Sequence, residues 1–235
     1  MISVCIATYN GEKYIREQIE SILKNITSSD EVIVSDDGST DKTLKILEEY
    51  CLKNNNIKIL NGPKLGVVRN FENAIENASG DIIFLSDQDD IWMENKVSFI
   101  KEVFEKSDCW LVVHDATLID KRGKEIDTSF FSLRNSGSGL VKNFYKNSYI
   151  GCCMAFKKEL VGLVCPFPEK IPMHDWWIGI VSDLYSKTVF VNNKLIGYRR
   201  HGSNVTGLKH LSLKKMLKNR ALLFFALIRY VLKIR

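Results

Sequence analysis

Ile82-Ile83-Phe84-Leu85-Ser86-Asp87-Gln88-Asp89-Asp90-Ile91-Trp92 joins an apolar run of four residues to a cluster of acidic and amide side chains. A short apolar run bounded by polar residues reads as a buried strand of a parallel sheet, covered on both faces. Ligands of open α/β sheets bind beyond the carboxyl ends of such strands. Neighbouring carboxylates at that place repel one another, yet they suit a hard divalent cation, which takes oxygen ligands and substrate phosphates. A solvated acidic turn is the simpler reading of the same residues, and this stretch taken alone leaves it open.

The residues upstream support a sheet. Apolar runs alternate with helical patterns, the signature of β-α units. Strands are expected at Ile2 to Ala7, Glu31 to Ser35, Ile57 to Leu60 and Asp81 to Leu85. Helices are expected at Tyr14 to Leu23, Lys42 to Tyr50 and Gly66 to Ala78, the second with Thr40 or Asp41 as N-cap. Downstream the pattern is less regular. Trp110 to Asp120 and Ile150 to Phe156 read as strands, Ser129 to Asn147 as a connection, and Asp175 to Tyr185 as a helix. Thr188 to Val191 and Leu195 to Arg200 read as a hairpin. No linker divides the body.

The 235 residues carry a net charge of +5, with 45% hydrophobic and 26% charged residues, an ordinary globular balance. The charge is unevenly placed. Residues 208–235 hold eight Lys or Arg and no Asp or Glu, leaving 25 basic and 28 acidic groups in the first 207. We therefore expect a body at 1–207 and a basic, amphipathic helical tail at 208–235. The apolar run Ala221 to Ile228 is far shorter than the roughly 20 residues that cross a bilayer. The tail therefore suits an anionic membrane surface, and a helix packed on the body or at a homodimer interface is the alternative. The acidic body argues against nucleic acid. The six cysteines form no C-x-x-C pair, and the first residues lack a basic leader, so a reducing, cytoplasmic setting is expected.

Three strand ends should lie along one sheet edge: Thr8-Tyr9-Asn10, Asp36-Asp37-Gly38-Ser39 and Asp87 to Asp90. The first two would line a nucleotide pocket, where the carboxylates of the second accept from a base N–H or ribose hydroxyls, or merely cap a helix. Arg69-Asn70 opens a helix with a planar cation that suits a diphosphate or the acidic cluster, or is an ordinary surface arginine. In Met173-His174-Asp175-Trp176-Trp177, Asp175 reads either as an N-cap or as a proton acceptor for a hydroxyl. Trp176 and Trp177 would then stack on a sugar face. His201 follows Tyr198-Arg199-Arg200 and precedes Gly202-Ser203-Asn204, a setting for a phosphate or metal role. No Gly-x-Gly-x-x-Gly follows the first strand, which excludes a dinucleotide-binding oxidoreductase.

Taken in order, Ala7-Thr8-Tyr9-Asn10-Gly11, Ser35 to Asp41, Arg69-Asn70, Ser86 to Trp92, His174 to Trp177 and Arg200 to Asn204 resemble family 2 glycosyltransferases. These have the GT-A nucleotide-sugar fold, and the likeness is strongest to the bacterial rhamnosyltransferase branch. It runs from about Ile2 to Thr206. It implies a mostly parallel central sheet flanked by helices, and inverting transfer of a sugar, rhamnose or another hexose, from a nucleoside-diphosphate donor. The acceptor implied is a hydroxyl of a glycan or polyprenyl-linked glycan, in surface polysaccharide synthesis at the inner face of the plasma membrane. By position, Thr8, Tyr9, Asn10, Asp37, Arg69, Asp87 and Gln88 would contact the nucleotide sugar. Asp89 and His201 would hold Mg²⁺ or Mn²⁺, Asp175 would be the base, and Trp176 and Trp177 would meet the acceptor. The family's usual Glu-Asp pair is His174-Asp175 here. A binding module without turnover is the alternative reading.

Overall fold

The computed structural model describes residues 1–185, 187–201 and 212–234, with side chains described as far as 232. Among the described residues, nine strands form one sheet in the order β3-β2-β1-β4-β8-β6-β9-β5, with β7 paired to β6. The strands are β1 (Ile2–Thr8), β2 (Glu31–Asp36), β3 (Ile57–Asn61), β4 (Ile82–Ser86), β5 (Ile91–Trp92), β6 (Leu111–Ile119), β7 (Glu125–Asp127), β8 (Met154–Lys157) and β9 (Thr188–Arg199). The helices are α1 (Ile15–Leu23), α2 (Thr43–Cys51), α3 (Val67–Glu76), α4 (Lys96–Lys106), α5 (Phe130–Arg134), α6 (Leu140–Tyr145), α7 (Lys158–Val164), α8 (His174–Leu184) and α9 (Leu213–Ile234).

The first half follows the expected β-α alternation. β1 pairs in parallel with β2 and β4, and β2 with β3. Ile2, Val4 and Ile6 alternate with Ser3 and Cys5 along β1, and all five are buried, as a strand covered on both faces requires. α1 turns Ile15, Ile19 and Ile22 inward at helical spacing, and α3 turns Phe71, Ala74 and Ile75. Gly66 starts α3 at φ 88°, a conformation that a side chain would strain. Because β1 leads through α1 to β2 on one side and β4 lies on its other side, the strand order reverses between β1 and β4. Their carboxyl ends frame a topological switch point, where such sheets bind ligands.

Beyond β4 the sheet is mixed. β8 runs antiparallel to β4 and β6, whereas β9 runs parallel to β6. The hairpin expected at Thr188 to Arg200 is instead one strand. The exposed polar segment Asn192-Asn193-Lys194 is absorbed as a register shift against β6 rather than a reversal. The strand expected from Ile150 begins later, because Gly151–Cys153 form a 3₁₀ turn whose backbone lies against the His174 ring. The expected connection at Ser129 to Asn147 contains α5 and α6. Asp115 of β6 accepts the Ser129 hydroxyl at 2.6 Å and the Phe131 N–H at 2.8 Å, so a long-range contact nucleates α5. Gly202, Ser203, Asn204, the expected boundary at 207/208, His210 and Leu211 lie outside the described residues.

Candidate active site

The loops after β1, β2 and β4 meet at the switch point, and they are stitched by side chains that bond backbone. The Tyr9 N–H donates to Gln88 Oε1 at 2.9 Å, and Gln88 Nε2 donates to the Tyr9 carbonyl at 3.1 Å. Gln88 therefore locks the β1 end to the β4 end. Gly11 sits directly against that amide, where any side chain would collide with it. Asn10, at φ 49°, accepts the Thr40 N–H at 2.8 Å, and its own N–H donates to the Ser39 hydroxyl. Tyr9 is 57% exposed, so its ring stands open beside these loops.

Asp36 and Asp37 divide the work of the second loop. Asp36 accepts from the Gly38 and Ser39 N–H groups and from the Ser39 and Thr8 hydroxyls. Gly38 takes φ 95°, which lets the turn close around that carboxylate. Asp37 accepts from the Lys64 N–H at 2.7 Å and the Gly66 N–H at 2.8 Å, which sets the entry to α3. Asp41 accepts the Thr43 N–H just ahead of α2, although Lys42 occupies the N-cap position itself.

The third loop is electrostatically different. Burial raises Asp87 to about 7, with the charges of Asp89 and Asp175 adding to the effect. Asp90 is pushed well above the ordinary carboxylate range by burial, then by Asp89 and Asp87. Its Oδ1 accepts the Arg199 N–H at 2.9 Å, while its buried Oδ2 has no hydrogen-bond partner. Behind these acids lies the fully buried Lys96. Its ammonium donates to the Cys152 carbonyl at 2.9 Å and sits 4.0 Å from the Trp92 ring centre. Burial lowers it to about 8, against the opposing influence of nearby thiols and acids that include Asp90 and Asp87.

Asp89 is gripped from the far end of β9. Its Oδ2 lies 2.6 Å from His201 Nε2, and its carbonyl accepts Arg199 Nε–H at 2.7 Å. Arg199 also reaches Glu17 at 2.5 Å. The Tyr14 ring lies between these groups, 5.1 Å from the His201 ring and 4.8 Å from the Arg199 guanidinium. Asp89 and His201, both expected to hold a cation, thus lie within hydrogen-bond distance of one another. Arg199, Tyr14 and Glu17 were not anticipated; Arg199 stood in the flagged run Tyr198 to His201 as the visible signal.

Asp175 lies in the first turn of α8, whose N-cap is Met173, so it is not the cap. It accepts the Trp176 N–H at 2.6 Å, and Asn147 Nδ2 stands 3.5 Å away. Burial raises it to about 7 against these donors. The preceding His174 is buried and stacked on Phe71 at 4.1 Å. Burial lowers it to about 3, which keeps the ring neutral.

Two expectations are corrected here. Trp176 and Trp177 are 7% and 1% exposed, and their indole N–H groups donate to the carbonyls of Asn143 and Val164. They are core side chains, because α8 turns its apolar face into the body. Arg69 does not stand toward the acidic cluster. Its guanidinium bonds Glu72 at 2.5 Å and the carbonyls of Phe167 and Pro168, tying α3 to the segment after α7.

The donor set fits a divalent cation. Among the described residues, Asp87, Asp90 and Cys152 each bring one ligand atom within 4.8 Å of the others. Burial pushes the Cys152 thiol well up, and a protonated thiol is a poor ligand. The useful donors of this group are therefore the oxygens of Asp87 and Asp90, while Asp89 and His201 pair with one another outside it. An orphaned carboxylate oxygen on Asp90 and mutually repelling carboxylates mark a site short of positive charge.

Residues 3–163 match the sequence profile of glycosyl transferase family 2. Among curated relatives, an uncharacterized glycosyltransferase of Nostoc is 27% identical over 86% of this chain and 66% of its own. The glycosyltransferase GlyG of Streptococcus pneumoniae is 27% identical over 87% and 72%. The dTDP-rhamnosyl transferase RfbG of Shigella flexneri is 29% identical over 86% and 73%. The chain thus spans about two thirds to three quarters of these relatives. Among solved structures, S. aureus TarS 1–349 in complex with UDP-GlcNAc superposes with a TM-score of 0.74 at 20% identity, over 96% of this chain and 66% of that one. The mannosyltransferase PcManGT from Pyrobaculum calidifontis, in complex with GDP-Man and Mn²⁺, superposes with a TM-score of 0.62 at 18% identity, over 82% and 55%. The fold is that of the GT-A glycosyltransferases.

Proposed function

The chain belongs to glycosyl transferase family 2, and on that premise we propose that it transfers a hexose, rhamnose foremost, from a nucleoside-diphosphate sugar with inversion. The acceptor is a hydroxyl of a glycan or lipid-linked glycan in bacterial surface polysaccharide synthesis. Residues 1–207 are the catalytic unit and 208–235 its tail, working at the inner face of the plasma membrane.

One observation carries this reading. Asp175, a carboxylate raised to about 7, lies near enough to Asp87 for their charges to interact, and Asp87 adjoins Asp89. A proton acceptor and a phosphate-side cluster thus share one site. A base poised near neutrality is substantially ionised at working pH, yet basic enough to take a hydroxyl proton. The displacement is a single step. The acceptor oxygen attacks the anomeric carbon, its proton passes to Asp175, and the diphosphate leaves from the opposite face. Tyr9 offers an open ring for the base, and Asn10 and Asp37 line the same edge. Thr8 and Gln88 shape that edge from behind, through Asp36 and Tyr9 respectively. Arg69 holds the wall rather than the phosphates. Asp89 and His201 would hold Mg²⁺ or Mn²⁺ beside Asp87. Such an ion, when bound, neutralises charge on the departing diphosphate.

The test is transfer or donor hydrolysis across a panel of nucleotide sugars, with dTDP-rhamnose first, in the presence of each metal. Asp175→Asn is expected to lower turnover by about 10²–10⁴-fold while leaving donor affinity unchanged. For the unaltered protein, kcat/KM should rise with pH to a plateau above about 7, because only ionised Asp175 accepts the proton. Undiminished turnover in the variant removes Asp175 from the mechanism. Tight donor binding with no hydrolysis or transfer, under any metal, would leave the chain a binding module.

A further inference from the structure

α9 has two apolar faces, and among the described residues only one of them packs on the body. Its inner face buries Leu223 and Ala226. Tyr230 packs edge-on against Trp177 at 5.6 Å and places its hydroxyl 3.2 Å from that of Tyr185. Arg220 fastens the helix to α6 by donating to the Tyr145 carbonyl at 2.6 and 3.1 Å. The outer face carries Leu213, Leu217, Phe224, Phe225, Ile228 and Leu232, all exposed, with Leu217 at 65%, Phe224 at 50% and Phe225 at 60%. At 100° per residue these six fall within a sector of about 120°, a continuous stripe. Soluble surfaces rarely leave two neighbouring phenylalanines and four aliphatic side chains in water without a partner.

The charges select that partner. Lys214, Lys215, Lys218 and Arg229 are exposed on the same helix, and residues 208–235 contain no acid. A second copy meeting this stripe across a two-fold axis would bring two such cationic tails together with no acid of their own to neutralise them. An anionic lipid surface accepts both the apolar stripe and the lysines. Over its 22 residues the helix is about 33 Å long. Among the described residues, no helix is long and apolar enough to cross a membrane, so α9 suits lying on one. Exposed Tyr145 of α6 adjoins the helix, with the Arg220 guanidinium 5.8 Å from its ring centre. Two residues beyond Tyr145, Asn147 stands beside Asp175.

We propose that the outward stripe of α9 docks the protein in the interface of an anionic membrane, with the side of the body that bears Asp175 turned toward the lipid. The docking claim stands on the helix and its charges. Only its value for a lipid-linked acceptor rests on the function proposed above.

Co-sedimentation of the full chain with vesicles decides it. Phosphatidylcholine vesicles with about one third phosphatidylglycerol should retain the protein, pure phosphatidylcholine should retain it at least about tenfold less well, and salt should weaken the binding. Phe224→Ser with Phe225→Ser should lower binding about tenfold with the folded state intact by circular dichroism. Lys214→Gln with Lys215→Gln and Lys218→Gln provides an independent arm that leaves every apolar contact in place, and should lower binding about tenfold as well. Absence of binding to anionic vesicles, or variants that bind as the parent does, overturns the proposal. So does a dimer in light scattering that the phenylalanine pair converts to monomer without any vesicle binding, since the stripe then belongs to a second copy. Donor hydrolysis without vesicles reads the catalytic site separately. Hydrolysis without vesicle binding rejects docking alone, and vesicle binding without hydrolysis supports docking while rejecting the catalytic reading.

Discussion

Two acidic turns flank the end of β1, one after β2 and one after β4, and they use the same residue type to opposite ends. In the first, Asp36 receives four donors and Asp37 two, nearly all from backbone N–H groups and hydroxyls of the loops they organise. In the second, Asp87 and Asp90 face one another and Asp89 with few donors, and Asp90 keeps a buried oxygen without a partner. Where N–H groups converge on a carboxylate, its charge is satisfied and it becomes a structural brace. Where they are withheld, the carboxylates stay under-neutralised and await a proton or a cation. Position at a strand end does not distinguish the two turns; the local supply of donors does.

Substitutions test that contrast. The largest effect is expected on the saturated side. Asp36→Ala orphans two N–H groups and two hydroxyls, and should cost roughly 2–4 kcal/mol of stability in denaturant unfolding. A loss below about 1 kcal/mol would mean that the turn does not depend on this carboxylate. Next, Asp89→Ala should lower metal-dependent nucleotide-sugar affinity by about 10–100-fold in calorimetry, with little change in stability. Equal affinity with and without metal in both proteins would dissolve the cation role of the second turn. The smallest effect has the opposite sign. Asp87 is raised from 3.8 to about 7, so the folded state favours its protonated form. Its contribution to stability is full below about pH 4 and is lost as pH rises through about 7. Asp87→Asn should therefore stabilise the metal-free protein at pH 8 by roughly 1–2 kcal/mol, and by nothing at pH 4. Destabilisation at pH 8 would place Asp87 with Asp36 as a brace.

How far the chain could be read in advance follows the range of the interactions. β1 to β4 and their helices were legible to within a residue or two, because each is written in contiguous apolar periodicity. The acidic cluster Asp87 to Asp90 was legible as a strand-end turn for the same reason, since it follows an unmistakable strand. Beyond β4 the signals are non-local. Asn192-Asn193-Lys194 looks like a turn in one dimension, and only pairing with β6 makes it a bulge. Adjacent tryptophans look like a sugar platform until α8 is seen to roll both indoles inward. Arg69 looks like an anion ligand until the carbonyls of Phe167 and Pro168 arrive from some 100 residues away.

The amino-acid order was enough to establish an α/β chain, four parallel strands, the family and the identity of the acidic residues at the strand ends. Those properties depend on periodicity and on residue types a few positions apart. Folding in space decided which carboxylates are braced and which remain electrostatically exposed to one another, that Asp89 meets His201, and that Asp175 of α8 comes near enough to Asp87 for their charges to interact. It also settled that α9 spends one apolar face on the body and leaves the other outward. Each of these turns on which groups lie within a few ångströms across the sheet, and burial, donor supply and charge repulsion are quantities of that three-dimensional neighbourhood.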